Sequence, residues 1–545
     1  MRALTIFTLR TLAGYLAAAG QFYPAIRLLD WTVRRWPEQA EAWALRGQIL
    51  LRWASGPRAG RAMPQLLEAA ADAYGRAEEL QPDLLEPRRE RGLSLLRLAW
   101  LSAKAEGGRD PRNLLETAIG EYERVLRAQP RRADVHHERA MARAALRTWV
   151  PAAQGLGLLE AALADLDESV RLRPHAGEAI FHRAEVASEL ARLYHAKGRW
   201  RDEQRLRRQS VEDHRRVRQM RPDWTLPLVL QAVELTALAK LGDDAGERLR
   251  QAIDDASTVL AREPRNAQAA LVRADARLAA ACRFGDADDQ RARLVWNQAE
   301  ADFQSAVAMV GLRNREEVKA AFAQGQAAWA EVLQRTGEPG EALVLWKEAL
   351  DGLERAVDDD PRDPTRLLAR AGVLVQLATH APDHAAEWRQ QALADIEGVL
   401  ESDPESPWAL ALRALARLGE GGRDEALLAD VRQARRLAPE DERILAAERR
   451  VLLQLAPAEG GDTRAAILHQ VLENCAEALR LRADDARAHL DQARALHLAG
   501  RAQAAYRALE QALRLAPALR HEVRQDPVWA DVAHGDGFKR LVGAD

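Results

Sequence analysis

Apolar and small residues recur along this chain at helical spacing in segments that come in pairs, and the second segment of each pair closes on a proline. The closing runs are RRWP at Pro37, ELQP at Pro82, RAQP at Pro130, RLRP at Pro174, QMRP at Pro222, AREP at Pro264, DDDP at Pro361, ESDP at Pro404, and RLAP at both Pro439 and Pro517. The interval from Pro264 to Pro361 is twice the usual one, and AMVG at Gly311 fills its middle; RLRA at Ala483 likewise divides the interval from Pro439 to Pro517. This spacing predicts twelve helical hairpins. Proline has no amide to give to a helix interior, so it ends the second helix and turns the chain to the next pair.

Two columns of small residues appear when the hairpins are aligned on these terminators. Twelve residues before the terminator stand Ala25, Ala70, Ala118, Ala162, Ser210, Ala252, Ala299, Ala349, Ala392 and Ala505. Ten residues after it stand Gly47, Gly92, Ala140, Ala184, Ala232, Ala274, Ala371, Ala414 and Ala493. Small residues at fixed places on successive helices let the backbones approach closely. A third column, Arg46, Arg91, Arg139, Arg183, Arg273, Arg370 and Arg413, directly precedes the small residue of the first helix. Each guanidinium is expected to span a seam and meet an acid or a carbonyl of a neighbouring helix; an anion-binding ladder is the alternative.

These columns resemble the tetratricopeptide repeat, a pattern of about 34 residues with small residues at positions 8, 20 and 27 and proline at 32. Residues 6 to 39 fit it without gaps through Gly20, Phe22, Ala25, Leu29 and Pro37, and residues 486 to 519 fit through Ala493, Gly500, Ala505, Leu509, Ala512 and Pro517. Between them the spacing lengthens. The added residues are expected between the two helices of a pair, in polar tips such as SGPRAG (55–60), EGGRDPR (106–112), GDDAG (242–246), FGDADD (284–289), TGEPG (336–340) and THAPDH (379–384).

The resemblance implies an all-α fold: a right-handed α-solenoid over residues 1–517, of the kind found in bacterial arrays with lengthened hairpins. Residues 518–545, carrying Leu519, Val523, Val528, Trp529, Phe538 and Leu541, are expected to cover the apolar face of the last hairpin.

The resemblance also implies a protein-binding scaffold, with positions 5, 9 and 12 of each repeat on a concave inner wall. The early hairpins place Ala44, Gln48, Leu51, Arg89, Leu93 and Leu96 there, and the fifth places Phe181, Glu185 and Ser188. With Gly325 read as the small residue of the eighth hairpin, the central wall carries Val229, Val233, Leu271, Leu278, Phe322, Trp329, Leu368 and Val375 as the candidate partner-binding groove. Such a groove either takes a partner helix or peptide, with Phe322 and Trp329 as anchors, or is filled by the protein's own turns or tail. The Lys, Arg and Asn set with which chaperone-binding relatives clamp a terminal carboxylate is missing from the central repeats.

Composition supports thin helical layers. Of 545 residues 47% are apolar but only 5% aromatic, so Ala and Leu must build the seams. The net charge of −3 comes from interspersed signs with no basic tail or stripe, which argues against a nucleic-acid partner. Cys282 and Cys475 lie in helical patterns far apart, so neither a disulfide framework nor a metal spacing is expected, and a reducing, cytoplasmic location fits. The first 20 residues are read as the first helix. Their alternative use is a signal or anchor ending near Ala17 and Ala19, which would place the protein in the periplasm or at a membrane, though Arg10 interrupts the apolar run. No stretch reaches the ~18 consecutive apolar residues of a spanning helix, so a membrane is not an expected partner.

No P-loop, GxGxxG, HExxH or GxSxG motif occurs, so neither enzymatic activity nor a cofactor or metal is expected. His380 and His384, with Asp383 and Glu387, approach a metal spacing, but Pro382 interrupts them in a polar tip. His136 and His137 diverge on a helix and are read as solvated. The expected function is therefore a non-catalytic adaptor. An envelope-assembly or secretion factor is a second possibility, and a regulatory array acting with a separate kinase or transcription factor is a third.

Overall fold

The computed structural model describes every residue except Met1, Arg58, 104–108, Asp243, 286–288, 312–314, 419–424, Glu459, Ala544 and Asp545. Among the described residues the secondary structure is helical, without a strand. The chain divides into two compact units, Met1–Leu190 and Ala191–Asp545, and the division falls within a helix.

The N-terminal unit contains α1 (Arg2–Ala18), α2 (Phe22–Arg35), α3 (Ala40–Ala54), α4 (Met63–Leu80), α5 (Leu85–Ser102), α6 (Pro111–Ala128), α7 (Ala133–Leu146), α8 (Ala152–Leu172) and most of α9 (Gly177–Ala196). The C-terminal unit continues with α10 (Trp200–Met220), α11 (Leu226–Lys240), α12 (Ala245–Arg262), α13 (Ala267–Phe284), α14 (Asp289–Met309), α15 (Arg315–Thr336), α16 (Pro339–Asp359), α17 (Pro364–His380) and α18 (Ala385–Ser402). It ends with α19 (Pro407–Arg417), α20 (Glu425–Leu437), α21 (Glu442–Leu455), α22 (Gly461–Leu481), α23 (Ala486–Leu498), α24 (Ala502–Leu515), α25 (Leu519–Gln525) and α26 (Asp536–Val542). From α1 to α8 and from α10 to α26, successive helices pack on one another in order, the arrangement of an α-solenoid.

The terminators do two jobs. Every even-numbered helix from α2 to α24 stops two residues before one of the twelve closing residues, for example α2 at Arg35 before Pro37 and α14 at Met309 before Gly311. Two residues beyond several of them an Asp or Asn caps the next helix: the Asn266 side chain accepts from the Ala269 amide, and Asp363, Asp441 and Asp485 accept from Thr365, Arg443 and Arg487. One short turn thus closes one helix and opens the next.

The lengthening lies mainly in the helices and less in the tips. The last hairpin uses helices of 13 and 14 residues, whereas α15 and α16 have 22 and 21 and are separated by Gly337 and Glu338 alone, so most of TGEPG is helical. THAPDH becomes the end of α17 and a 3₁₀ turn over Pro382–His384. Parts of SGPRAG, EGGRDPR, GDDAG and FGDADD lie outside the described residues.

Both small-residue columns are buried. All ten residues of the first column are at most 1% exposed, as are the seven alanines of the second. Its two glycines face tyrosines: a Cβ on Gly47 would lie 2.9 Å from the Tyr74 ring, and one on Gly92 would lie 2.8 Å from Tyr122. Where the second helix presents a ring, the first has no room for a methyl group.

The arginine column meets acids. Arg139 grips Asp165 through Nε and Nη2 at 2.9 and 2.5 Å; Arg273 holds Asp302, Arg370 holds Asp395 and Arg413 holds Asp430 in the same two-pronged way. Arg46 reaches Asp30 at 2.8 Å, Arg183 reaches Asp167 at 3.0 Å, and Arg91 meets Glu78 and Glu121 at 3.0 and 2.9 Å. A second arginine one turn on joins some pairs, Arg143 on Asp165 and Arg277 on Asp302, both at 2.6 Å. Each of these guanidiniums meets a carboxylate, which favours the seam reading over the anion ladder. Four of these eight acids form a further column three residues after the small residue of the second helix: Glu121, Asp165, Asp302 and Asp395.

Beyond α24, Leu519, Val523, Trp529, Phe538 and Val542 are each at most 4% exposed and pack with Leu490, Ala493, Leu509 and Leu513 of the last hairpin. The Asp526 carboxylate accepts from the Val528 amide and shapes the Asp-Pro turn that places Trp529 beside His497, ring centres 4.8 Å apart.

Candidate binding surface

In the C-terminal unit the inner faces of α11, α13 and α15 form the apolar floor of a cavity of about 1010 Å³. Val233, Leu271, Leu278 and Phe284 supply its apolar surface, and Gly325 and Ala328 keep the α15 side shallow. The opposite side comes from the turn before α23, with Arg482 and Asp484, from Arg487 at the start of α23, and from Leu515 and Ala516 at the end of α24.

Most charged groups of this cavity are paired. Lys240 meets Asp275 at 2.7 Å, Arg487 meets Glu522 at 2.8 Å, and Arg482 meets Glu442 at 3.3 Å. Burial favours the neutral form of Glu442 and raises its pKa, against the pull of Arg482. The rim is therefore mainly a set of neutralised pairs around an apolar floor.

The eight residues read as the groove divide between floor and core. Val233, Leu271 and Leu278 line the cavity. Val229 and Val375, 1% and 3% exposed, are core residues, and Leu368 packs at the edge of the same core as Val375. Trp329 is only 1% exposed and stacks on Trp296 of α14 at 5.7 Å, while Phe322 packs on Phe303 of α14 at 5.2 Å. The two rings expected as anchors thus fill the seam behind the wall.

The reason is register. The small residue of α15 that meets α16 is Ala323, whose Cβ stands 2.8 Å from where a Cβ on Gly352 would be. Taking Gly325 for that position moves the inward face by two residues. The groove falls on Ala321, Gln324 and Ala328, and Phe322 and Trp329, seven residues apart, share the neighbouring face.

The N-terminal unit has its own inner-wall cavity, about 940 Å³, across α1, α3 and α5. Ala44, Gln48, Leu51 and Leu93, all read as inward from the sequence, line it together with Phe7, Arg10, Glu90 and Arg97. Further along this wall Arg89 donates to Glu138 at 3.1 and 3.2 Å; burial pushes the Glu138 carboxyl up to about 7, against the pull of Arg89. His137 and His182 share a hydrogen bond of 2.7 Å, and burial holds His137 down to about 4. His136 instead meets Asp165 at 3.1 Å and the Pro130 carbonyl at 2.9 Å. The adjacent histidines do diverge, but both have protein partners, which corrects the solvated reading.

Other chemistry-bearing residues are occupied structurally. Burial pushes the Cys475 thiol up to about 12, a range in which it is not a nucleophile. His380 stacks on Trp346 at 5.1 Å. Among the described residues no group of three or more His, Cys, Asp or Glu side chains is placed to hold a metal ion, and no helix is long and apolar enough to cross a membrane.

No protein-family model and no curated protein matches this chain in sequence. Solved structures similar to it include yeast Tom70, 12% identical over 96% of this chain and 100% of that one, with a TM-score of 0.37. The TPR domain of P58(IPK) is 16% identical over 84% and 100% of the two chains, with a TM-score of 0.26. A monomeric IFIT1 mutant with Gppp-AAAA is 12% identical over 88% and 91%, with a TM-score of 0.32. The fold is a TPR-like α-solenoid. The hairpins, terminators and small-residue seams described above carry that statement.

Proposed function

We propose that this protein is a non-catalytic protein-interaction scaffold and that the cavity of its C-terminal unit receives an apolar segment of a partner protein. The observation that carries this reading is the floor formed by Val233, Leu271 and Leu278: apolar side chains in a concave wall of a helical array, beneath a rim whose charges are mostly neutralised. Concave, mainly apolar sites with a few fixed polar groups are where proteins hold ligands. The paired rim adds position without leaving an ion unpaired when water is displaced. Cys282 and Cys475 lie far apart in sequence and on separate helices, which suits a reducing compartment.

A photo-crosslinking residue placed at Val233, with one at exposed Trp149 as control, would capture the partner for identification. Titration of that partner against Val233→Arg and Leu271→Arg then tests the site. Binding at least roughly tenfold weaker in both folded variants is expected, as for residues central to an interface. Unchanged affinity in both would sink the cavity assignment while leaving the solenoid intact.

A further inference from the structure

The first hairpin carries an exposed surface unlike the rest of the described chain. Leu4, Leu12, Tyr15, Tyr23 and Trp31 are 70%, 48%, 71%, 63% and 53% exposed, a concentration of large apolar side chains on two short helices. Such patches mark interaction sites. The charge balance differs as well: residues 1–37 hold five arginines, Arg2, Arg10, Arg27, Arg34 and Arg35, against one acid, Asp30, in a chain whose overall net charge is −3.

Aromatic and basic residues share one stripe. Tyr23, Arg27, Trp31 and Arg34 follow one another at intervals of four, four and three along α2, so they lie on a single face, and all four are exposed. Asp30 is taken up by Arg46 at 2.8 Å. Arg27 and Arg34 have no acidic partner among the described residues, in contrast to the acid-paired arginine column of the seams. Arg35 lies over the Trp36 ring, which itself packs edge-on against Trp31.

We propose that this face docks on an anionic lipid bilayer surface. A protein interface that buried this stripe would enclose guanidiniums among rings and would have to bring its own carboxylates. A bilayer supplies both halves at once: Tyr and Trp rings settle at the headgroup level, and arginines beside them meet lipid phosphates. No described helix is long and apolar enough to cross the bilayer, so the hairpin lies on the surface.

The test is flotation of the full-length protein with vesicles of phosphatidylcholine alone and of phosphatidylcholine mixed with phosphatidylglycerol. Flotation with the anionic vesicles only, suppressed by salt, is expected. Trp31→Ser and the pair Arg27→Glu/Arg34→Glu should each weaken it by roughly tenfold or more, while circular dichroism shows unchanged helix content. The substitutions sit on exposed positions, so folding should survive. Absence of flotation, or flotation that the charge reversals leave unchanged, overturns the proposal. Concentration-dependent dimerisation in solution that the same variants abolish, without vesicle binding, overturns it in favour of a second copy of the chain.

Discussion

The inner wall of the N-terminal unit is tied from one helix to the next, whereas that of the C-terminal unit is tied between helices far apart in sequence. In the former, Arg10 of α1 pairs with Glu41 of α3, Arg89 of α5 with Glu138 of α7, and His137 of α7 with His182 of α9. In the latter, α25 packs on α15, where a Cβ on Gly337 would lie 3.2 Å from the His521 ring; Arg450 donates to Thr379 at 3.4 Å, and Gly198 abuts Ala438. The same hairpin thus yields a wall with nearest-neighbour ties in one unit and an enclosed interior in the other. Glu331 and Arg450 remain solvent-exposed on this wall, and the protein packed around them raises the carboxyl pKa of Glu331 and, with repulsion from Arg487, lowers that of Arg450. Repeat geometry alone does not set this difference. It needs enough hairpins for late helices to reach early ones, at a loop-closure cost that grows only slowly with length.

The strongest way to break the comparison is Gly198→Ala. Gly198 has φ +65°, and a methyl group there would collide with Ala438, so both backbone strain and overpacking oppose the change. A loss of roughly 2–4 kcal/mol is expected from urea unfolding. An unshifted midpoint would mean that α20 does not press on the α9–α10 turn.

Next in size is Glu522→Gln. Glu522 accepts from Arg487 at 2.8 Å and from Arg494 at 2.9 Å, and although burial opposes its charge the two arginines prevail and keep its pKa below the ordinary range. Its partial exposure discounts the effect to roughly 1–3 kcal/mol at neutral pH. The deficit should vanish on acidification below the wild-type carboxyl's folded pKa, because a depressed carboxyl contributes only while it is ionised. A pH-independent deficit would show that packing rather than charge holds α25.

The N-terminal wall makes a pH prediction of the opposite origin. His137 titrates near 4 in the folded protein and near 6.5 unfolded, so the unfolded chain binds more protons between these values and stability falls as pH drops through that window. Glu138, raised to about 7, acts in the reverse sense, losing its contribution as pH rises toward 7. Comparison with His137→Phe isolates the histidine: the variant's stability relative to wild type should rise by on the order of 1–2 kcal/mol from pH 7 to pH 4, read by denaturant titration. A constant difference would remove the buried imidazole from the account.

The smallest effect, that of Arg183→Ala, comes from a comparison of exposed with buried members of the arginine column. Asp167, partner of Arg183, is 51% exposed, whereas Asp395, held two-pronged by Arg370, is 6% exposed. Arg183→Ala should cost less than about 1 kcal/mol, and Arg370→Ala, which leaves Asp395 buried without its partner, roughly 2–4 kcal/mol. Equal costs would mean that the column acts through general packing.

Much of the fold was legible because it repeats. Proline at the end of each second helix, small residues in two columns and arginine before one of them are local chemical requirements, and each appears many times, so single exceptions at Gly311 and Ala483 did not hide the pattern. The partners of the arginines were legible only as an acid or a carbonyl of a neighbouring helix; that Asp165 and Asp302, three positions after Ala162 and Ala299, fill the role emerges once the hairpins pack. The candidate cavity was legible only in part. Val233, Leu271 and Leu278 follow from the repeat register, but Arg482, Arg487 and Leu515 on the facing side come from hairpins more than 200 residues away.

The sequence by itself determined the elements: where each helix stops, which faces are small enough to pack, and that the array is built from hairpins. Those choices rest on interactions within one hairpin or between neighbours, and they are written as periodicity. Tertiary structure alone decided the inward face of α15, the burial of Trp329 against Trp296, and the closing of the C-terminal interior. A shift of two residues rotates a helix by about 200°, and small rotations between successive hairpins accumulate along an array, so neither outcome is fixed by any local run of residues.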